Sequence, residues 1–149
     1  MVLEDYFQRF PGKGYRITAT DISTKVLEQA GKGVYQADRV DKVPEQFLRR
    51  FFQRGVGKSA GFFRVKAEIR QRITFRHFIL MEHFPWQSEL DIIFCRNVMI
   101  YFDRQTQQQL VEKFHNCLVA GGYLIIGHSE SISSLNHRFQ QTEATIFRK

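Results

Sequence analysis

The chain opens on Val2, Leu3, Tyr6, Phe7 and Phe10, apolar positions at helical spacing that predict a short helix stopped by Pro11-Gly12. From Gly14 to Ile22 the period changes to two. Tyr15, Ile17 and Ala19 alternate with Arg16, Thr18 and Thr20, which predicts a strand ending at Asp21. Ser23 is placed to cap a helix with Val26, Leu27 and Ala30 on its apolar face, closed by Gly31 and Gly33. After Pro44, the positions Phe47, Leu48, Phe51 and Phe52 predict another helix, followed by the glycine-punctuated stretch Arg54 to Gly61. Two alternating stretches, Phe62 to Ala67 and Ile69 to Phe75, then read as hairpin material.

The strand-and-helix pattern resumes with Ile73 to Leu80 and Leu90 to Cys95. A helix from about Gln105 to Leu118 follows, with Leu110, Val111, Phe114 and Leu118 on one face. Gly121-Gly122 is expected to end that helix, Tyr123 to Gly127 to form a strand, and Phe139 to Lys149 to supply one or two antiparallel edge strands. Strands alternating with helices predict an α/β fold with a mostly parallel sheet, in which the apolar run Leu90 to Cys95 is covered on both faces. The expected organisation is one domain over residues 1–149, with residues of about 34–72 as an inserted helical and β-subdomain.

A chain of 149 residues is long enough to bury a core without disulfides or a structural metal. Cys95 and Cys117 lie in apolar segments with no metal-ligand spacing around them, so they read as reduced packing thiols and no metal is expected. No run approaches the ~18 to 20 apolar residues of a membrane span, and Glu4, Asp5 and Arg9 stand where a signal peptide would be apolar. The expectation is a cytoplasmic protein without membrane insertion. The net charge of +7 is concentrated. Nine basic residues between Arg49 and Arg76 face one acid, Glu68, a local +8 that leaves −1 for the remainder. Such a cluster suits an anionic partner. Its interleaving with Phe62, Phe63 and Phe75 at strand alternation argues against a nucleic-acid platform.

In open α/β sheets, ligands bind beyond the carboxyl ends of strands. The residues there are polar: Asp21, then Arg96-Asn97, then His128-Ser129-Glu130. An acid after a strand serves either as a local cap or as a ribose ligand. In the second role its partner glycine loop lies ~20 residues upstream, which here is at or before Met1. Gly55, Gly57 and Gly61 follow a helix instead of a strand and read as a hairpin connection.

The segments ATDIST (19–24), RFFQRGVGKSAGFFRV (50–65), FCRNVMIYFDRQTQQQ (94–109) and GGYLIIGHSES (121–131) resemble, in order and spacing, the chemotaxis receptor methyltransferases of the CheR type. These use S-adenosylmethionine to methylate receptor glutamates, leaving S-adenosylhomocysteine. The resemblance implies a Rossmann-like methyltransferase sheet with an antiparallel edge at the C-terminus, lacking its first strand and glycine loop. It implies that Asp21 binds the ribose hydroxyls, that Arg96 and Asn97 line the cofactor pocket, and that Tyr101 is the catalytic candidate beside the transferred methyl. The alternative role for Tyr101 is packing against Phe102. His128, Ser129 and Glu130 match a family signature and read as a turn and cap that shape the site.

Ile79 and Leu80 occupy positions where the family usually has Asn then Leu. Ile79 cannot hydrogen-bond the adenine edge, a loss of ~0.5 to 1.5 kcal/mol. The implied partners are acidic chemoreceptor helices steered by the basic segment, and a receptor C-terminal peptide docked on the inserted subdomain. Self-association through an exposed sheet edge is a further expectation. The alternative function is a truncated or degenerate methyltransferase-like module that docks a partner without cofactor.

Overall fold

A computed structural model describes residues 1–149 and divides them into two units, Met1–Ile79 and Leu80–Lys149. Each mixes helices with strands, and parallel with antiparallel pairs occur across the chain, a mixed α/β class.

In the first unit, helix α1 (Val2–Phe7) precedes strand β1 (Ile17–Asp21), whose inward Ile17, Ala19 and Asp21 alternate with exposed Thr18 and Thr20. Helix α2 (Thr24–Lys32) starts where the Ser23 hydroxyl accepts the Val26 amide at 3.3 Å. It ends at Gly33, whose φ of 61° is the left-handed conformation that closes a helix without Cβ strain. Gly31, expected to share that role, is instead the penultimate helical residue. Strand β2 (Val34–Gln36), helix α3 (Glu45–Phe51), strands β3 (Phe52–Arg54) and β4 (Phe62–Val65) and the helical turn α4 (Ala67–Arg70) lead to strand β5 (Ile73–His77), the parallel neighbour of β1.

The expected hairpin between Phe62–Ala67 and Ile69–Phe75 does not form. Instead β4 is the centre of a three-stranded antiparallel sheet in the order β2-β4-β3. The reason is the turn α4, which drops Ile69 into a core with Val40, Phe51 and Phe52, so that alternation restarts at Ile73 toward a different partner. The Arg54–Gly61 stretch is the hairpin connection between β3 and β4, closed by the Gly55 amide on the Phe62 carbonyl at 2.8 Å. Two of the clustered cations are tied to α1: Arg72 to Glu4 at 3.0 Å and Arg50 to Asp5 at 2.7 Å.

The second unit carries strand β6 (Leu90–Cys95), helix α5 (Arg104–Cys117), and strands β7 (Leu118–Ile126), β8 (Gln140–Glu143) and β9 (Ile146–Arg148), in the sheet order β6-β7-β9-β8. The β6–β7 pair is parallel and the other two are antiparallel; of the two tail strands only β8 lies at the edge, while β9 sits between β7 and β8. The Asp103 carboxylate accepts the Thr106 amide at 2.8 Å to start α5, which buries Leu110, Val111, Phe114 and Cys117. Gly121-Gly122 does not end this helix. Both glycines lie inside β7, where Leu118 pairs with Leu90 but Tyr123 pairs with Ile92, a register shift that Gly121 absorbs at φ 80°. Strand β6 is not covered on both faces either: Ile92 is 44% and Phe94 69% exposed. Its unit supplies α5 as its one helix, enough for one face.

The segment after β7 runs along α5. Gln108 accepts the Asn136 amide at 2.8 Å and donates to the Asn136 carbonyl, Arg104 donates to the Ser134 carbonyl, and Arg138 donates to Asn116 at 3.2 Å. Cys95 and Cys117 are free and buried, and Cys117 Sγ lies 3.1 Å from the Trp86 carbonyl. No helix is long and apolar enough to cross a membrane.

Candidate functional site

Asp21 closes β1 opposite His77 of β5. Its Oδ1 accepts the Ser23 amide at 2.8 Å and its carbonyl accepts the Phe78 amide at 3.1 Å. The carboxylate thus sets the turn into α2, while Oδ2 points to no donor of the chain. The two sequence readings of this acid, local cap and ligand for a diol, are compatible in one residue. Ile79, two residues beyond β5, is 40% exposed. Asp21 and Ile79 belong to the first unit; Leu80, Arg96, Asn97 and Tyr101 belong to the second.

In the second unit Cys95 ends β6, and the exposed Arg96 and Asn97 follow at once. Asn97 adopts φ 58°, a left-handed bend that a short polar side chain tolerates. What holds this bend is Glu130, 8% exposed. Its Oε2 accepts the amides of Gly127 at 2.7 Å and Asn97 at 2.9 Å, and its Oε1 accepts those of Val98 and Met99, both at 2.8 Å. Burial alone would raise the Glu130 pKa, but the four amide donors outweigh it and hold the carboxyl below its usual range. The same burial, with the Glu130 charge nearby, pushes the Cys95 thiol up to about 12.

Gly127 completes the junction. A Cβ there would lie 2.8 Å from both Asn97 Oδ1 and Glu130 Oε2, so no side chain fits without displacing one of them. Beyond Asn97, the 3₁₀ turn Met99–Tyr101 is pinned to α5 by Gln107, whose amide donates to the carbonyls of Met99 at 2.9 Å and Phe102 at 3.1 Å. Tyr101 stands 80% exposed, so its ring is not a packing element against Phe102. A shallow cavity lined by Met99, Ile100, Gln107, Ser129, Glu130 and Ser131 opens beside this turn.

Leu80 is half-buried. Its carbonyl and those of Met81 and Glu82 receive the Lys113 ammonium at 3.4, 2.9 and 2.9 Å. Sequence reasoning missed this lysine. The available signal was its position three residues after the core residue Leu110, which turns a cation toward the buried flank of α5. Glu130 was read correctly as a shaping residue, though its four partners were not foreseen.

Taken unit by unit, each set has the chemistry that part of a nucleoside asks for. In the first unit the Asp21 carboxylate, with one oxygen outside the Ser23 bond, is of the type that suits a vicinal diol; in the second, the exposed Asn97 amide on its fixed bend carries donors as well as an oxygen that Ser129 Oγ approaches at 3.5 Å.

Residues 1–148 match the family described as CheR methyltransferase, SAM binding domain. The chain is 38% identical to the chemotaxis protein methyltransferase of Escherichia coli (strain K12) over 148 residues, 99% of this chain and 51% of that protein. It is 42% identical to chemotaxis protein methyltransferase 2 of Pseudomonas aeruginosa over 134 residues, 89% and 48% of the two chains. Against the chemotaxis protein methyltransferase of Borreliella burgdorferi the identity is 41% over 118 residues, 78% and 41% of the two chains. The chain spans about half the length of the curated relatives it matches. Since the matched span takes in the Asp21 turn and the whole junction built on Glu130, the chain belongs to the family of CheR methyltransferase SAM-binding domains.

Proposed function

We propose that this chain binds S-adenosylmethionine and takes part in the methylation of chemoreceptor glutamates. The observation that carries the reading is the family match over residues 1–148, with relatives that are chemotaxis methyltransferases. In this reading the parallel pairs β1–β5 and β6–β7 are parts of a Rossmann-like fold, and the segment of about 34–72 is an insert within it.

Asp21 takes the ribose hydroxyls through Oδ2. Leu80, Arg96 and Asn97 line the cofactor pocket, and Ile79 offers the adenine an apolar contact in place of a hydrogen bond. Tyr101, exposed at the end of a pinned turn, lies beside the transferred methyl. When bound, the cofactor supplies a methylsulfonium, already a good electrophile. A glutamate side chain with a pKa near 4.3 is ionised at neutral pH, so the residues need not remove a proton. Their work is to orient the carboxylate in line with the methyl at ~3 to 3.5 Å and to exclude water. The basic segment Arg49 to Arg76 steers acidic receptor helices, and the exposed Val56, between Arg54 and Lys58, marks the hairpin tip as a place for a receptor tail peptide.

Calorimetric titration with S-adenosylhomocysteine tests the reading, with Asp21→Ala as the control. Saturable binding that the substitution weakens at least tenfold supports it. A folded chain that takes up no ligand refutes it and leaves the partner-docking module.

A further inference from the structure

An ammonium group has three N–H donors, and Lys113 Nζ has three backbone acceptors, the carbonyls of Leu80, Met81 and Glu82. The same nitrogen lies 5.3 Å from the centroid of the Phe84 ring, whose face favours a cation. None of the chain's ion pairs involves Lys113. Its donors are therefore committed to one turn. That turn begins at Leu80, while the lysine is held on α5, whose neighbouring residues Leu110, Val111 and Phe114 are buried. The turn is in this way tied to a helix that is anchored in the core.

We propose that Lys113 is a positioning residue for cofactor binding: its ammonium fixes the Leu80–Glu82 turn so that Leu80 is presented in one geometry. This rests on the functional reading above, in which Leu80 lines the cofactor pocket. Lys113 itself touches no cofactor. Three converging carbonyls need a cation with N–H donors between them, and without one they repel each other and turn toward water.

The test compares wild type with Lys113→Met, which keeps an unbranched side chain as far as Cε and loses the Nζ donors and charge, and with Lys113→Ala, which removes the atoms corresponding to n-propylammonium. The readouts are S-adenosylhomocysteine affinity by calorimetry and amide hydrogen exchange across residues 80–84. Lys113→Met is expected to weaken binding about tenfold, the scale of one lost hydrogen bond to a charged group, and to speed exchange in the turn. In Lys113→Ala, millimolar n-propylammonium is expected to restore both readouts, whereas n-propanol, which fills the same space without the charge, is not. A lysine that served only as packing would respond equally to the two additives.

Equal affinity in wild type and Lys113→Met overturns the role of Lys113 while leaving the functional reading intact. A wild-type chain that binds no S-adenosylhomocysteine overturns the reading itself, and this role with it. Should Lys113→Ala fail to fold, the Lys113→Met comparison decides alone.

Discussion

Replacing Glu130 by Gln changes one oxygen to an NH₂ group and almost nothing in shape, yet the junction it serves has no place for a donor. Each carboxylate oxygen accepts two amides, Gly127 and Asn97 on one side, Val98 and Met99 on the other. Whichever way the Gln amide turns, its NH₂ faces two N–H groups, so two of the four amides lose their acceptor. One amide on each side is buried, those of Gly127 and Met99. Either orientation therefore strands one buried amide and one half-buried neighbour; an unsatisfied buried donor costs ~1 to 3 kcal/mol, to which the half-buried amide adds less, against the roughly 5 to 15 kcal/mol typical of a whole domain.

The same carboxyl sets an acid limb. Its folded pKa lies below its ordinary value of 4.5, so its contribution is fully present above pH 4.5 and is lost as pH falls through the folded value. Urea unfolding followed by Trp86 fluorescence, at neutral pH and at pH 3 to 4, measures both effects. Glu130→Gln should lower the midpoint strongly at neutral pH and flatten the acid dependence. A loss below about 1 kcal/mol, with the acid limb intact, would refute the four-amide account.

Gly127→Ala places a methyl 2.8 Å from Asn97 Oδ1 and Glu130 Oε2, and should reduce both the unfolding midpoint and S-adenosylhomocysteine affinity; unchanged affinity would separate the junction from the cofactor site. His115 has its pKa lowered by burial, then by the positive charges of Arg138 and Lys149. The unfolded imidazole therefore takes up its proton first, and stability should decline as pH falls below the ordinary 6.5. His115→Asn should flatten that slope in denaturant titrations between pH 5 and pH 7, whereas an unchanged slope would assign it to another group. Arg54→Glu with Lys58→Glu, both exposed around the hairpin tip, should weaken binding of an acidic receptor peptide and reduce its salt dependence, read by fluorescence anisotropy over a salt series. Affinity that ignores both the reversal and the salt would move the partner elsewhere.

The helices were legible where their ends are local chemistry. Ser23 and Gly33 around α2, and the Leu110, Val111, Phe114 stripe of α5, depend on residues a turn apart. Strand pairing was less legible, because alternation states that a strand exists without naming its neighbour. The Ile69–Phe75 pattern looks the same whether it folds back on β4 or, as observed from Ile73 onward, lies parallel to β1 more than fifty residues away. Phe52 continues the helical spacing of Phe47, Leu48 and Phe51 yet opens β3, since its burial is set by the sheet. Gly121-Gly122 reads as a helix stop in sequence because the same glycine that can end a helix can equally, at positive φ, take up a register shift inside a strand. The strand-end positions of Asp21, Arg96 and Asn97 followed from the pattern. The grip of Glu130 on amides 31 to 33 residues earlier did not, because a carboxylate that binds backbone leaves no complementary side chain in the sequence.

The placement of Trp86 and the two cysteines has a practical consequence for following the chain as it opens. Trp86, Cys95 and Cys117 all belong to Leu80–Lys149, and Met1–Ile79 contains neither residue type. Tryptophan emission and pulsed thiol labelling therefore both watch the second unit and are blind to the first, so their agreement is no test of all-or-none unfolding. Backbone ellipticity sees both units. A denaturation curve by ellipticity that departs from the emission curve would reveal the first unit melting on its own schedule, and labelling rates would then time the opening around β6 and the end of α5 alone.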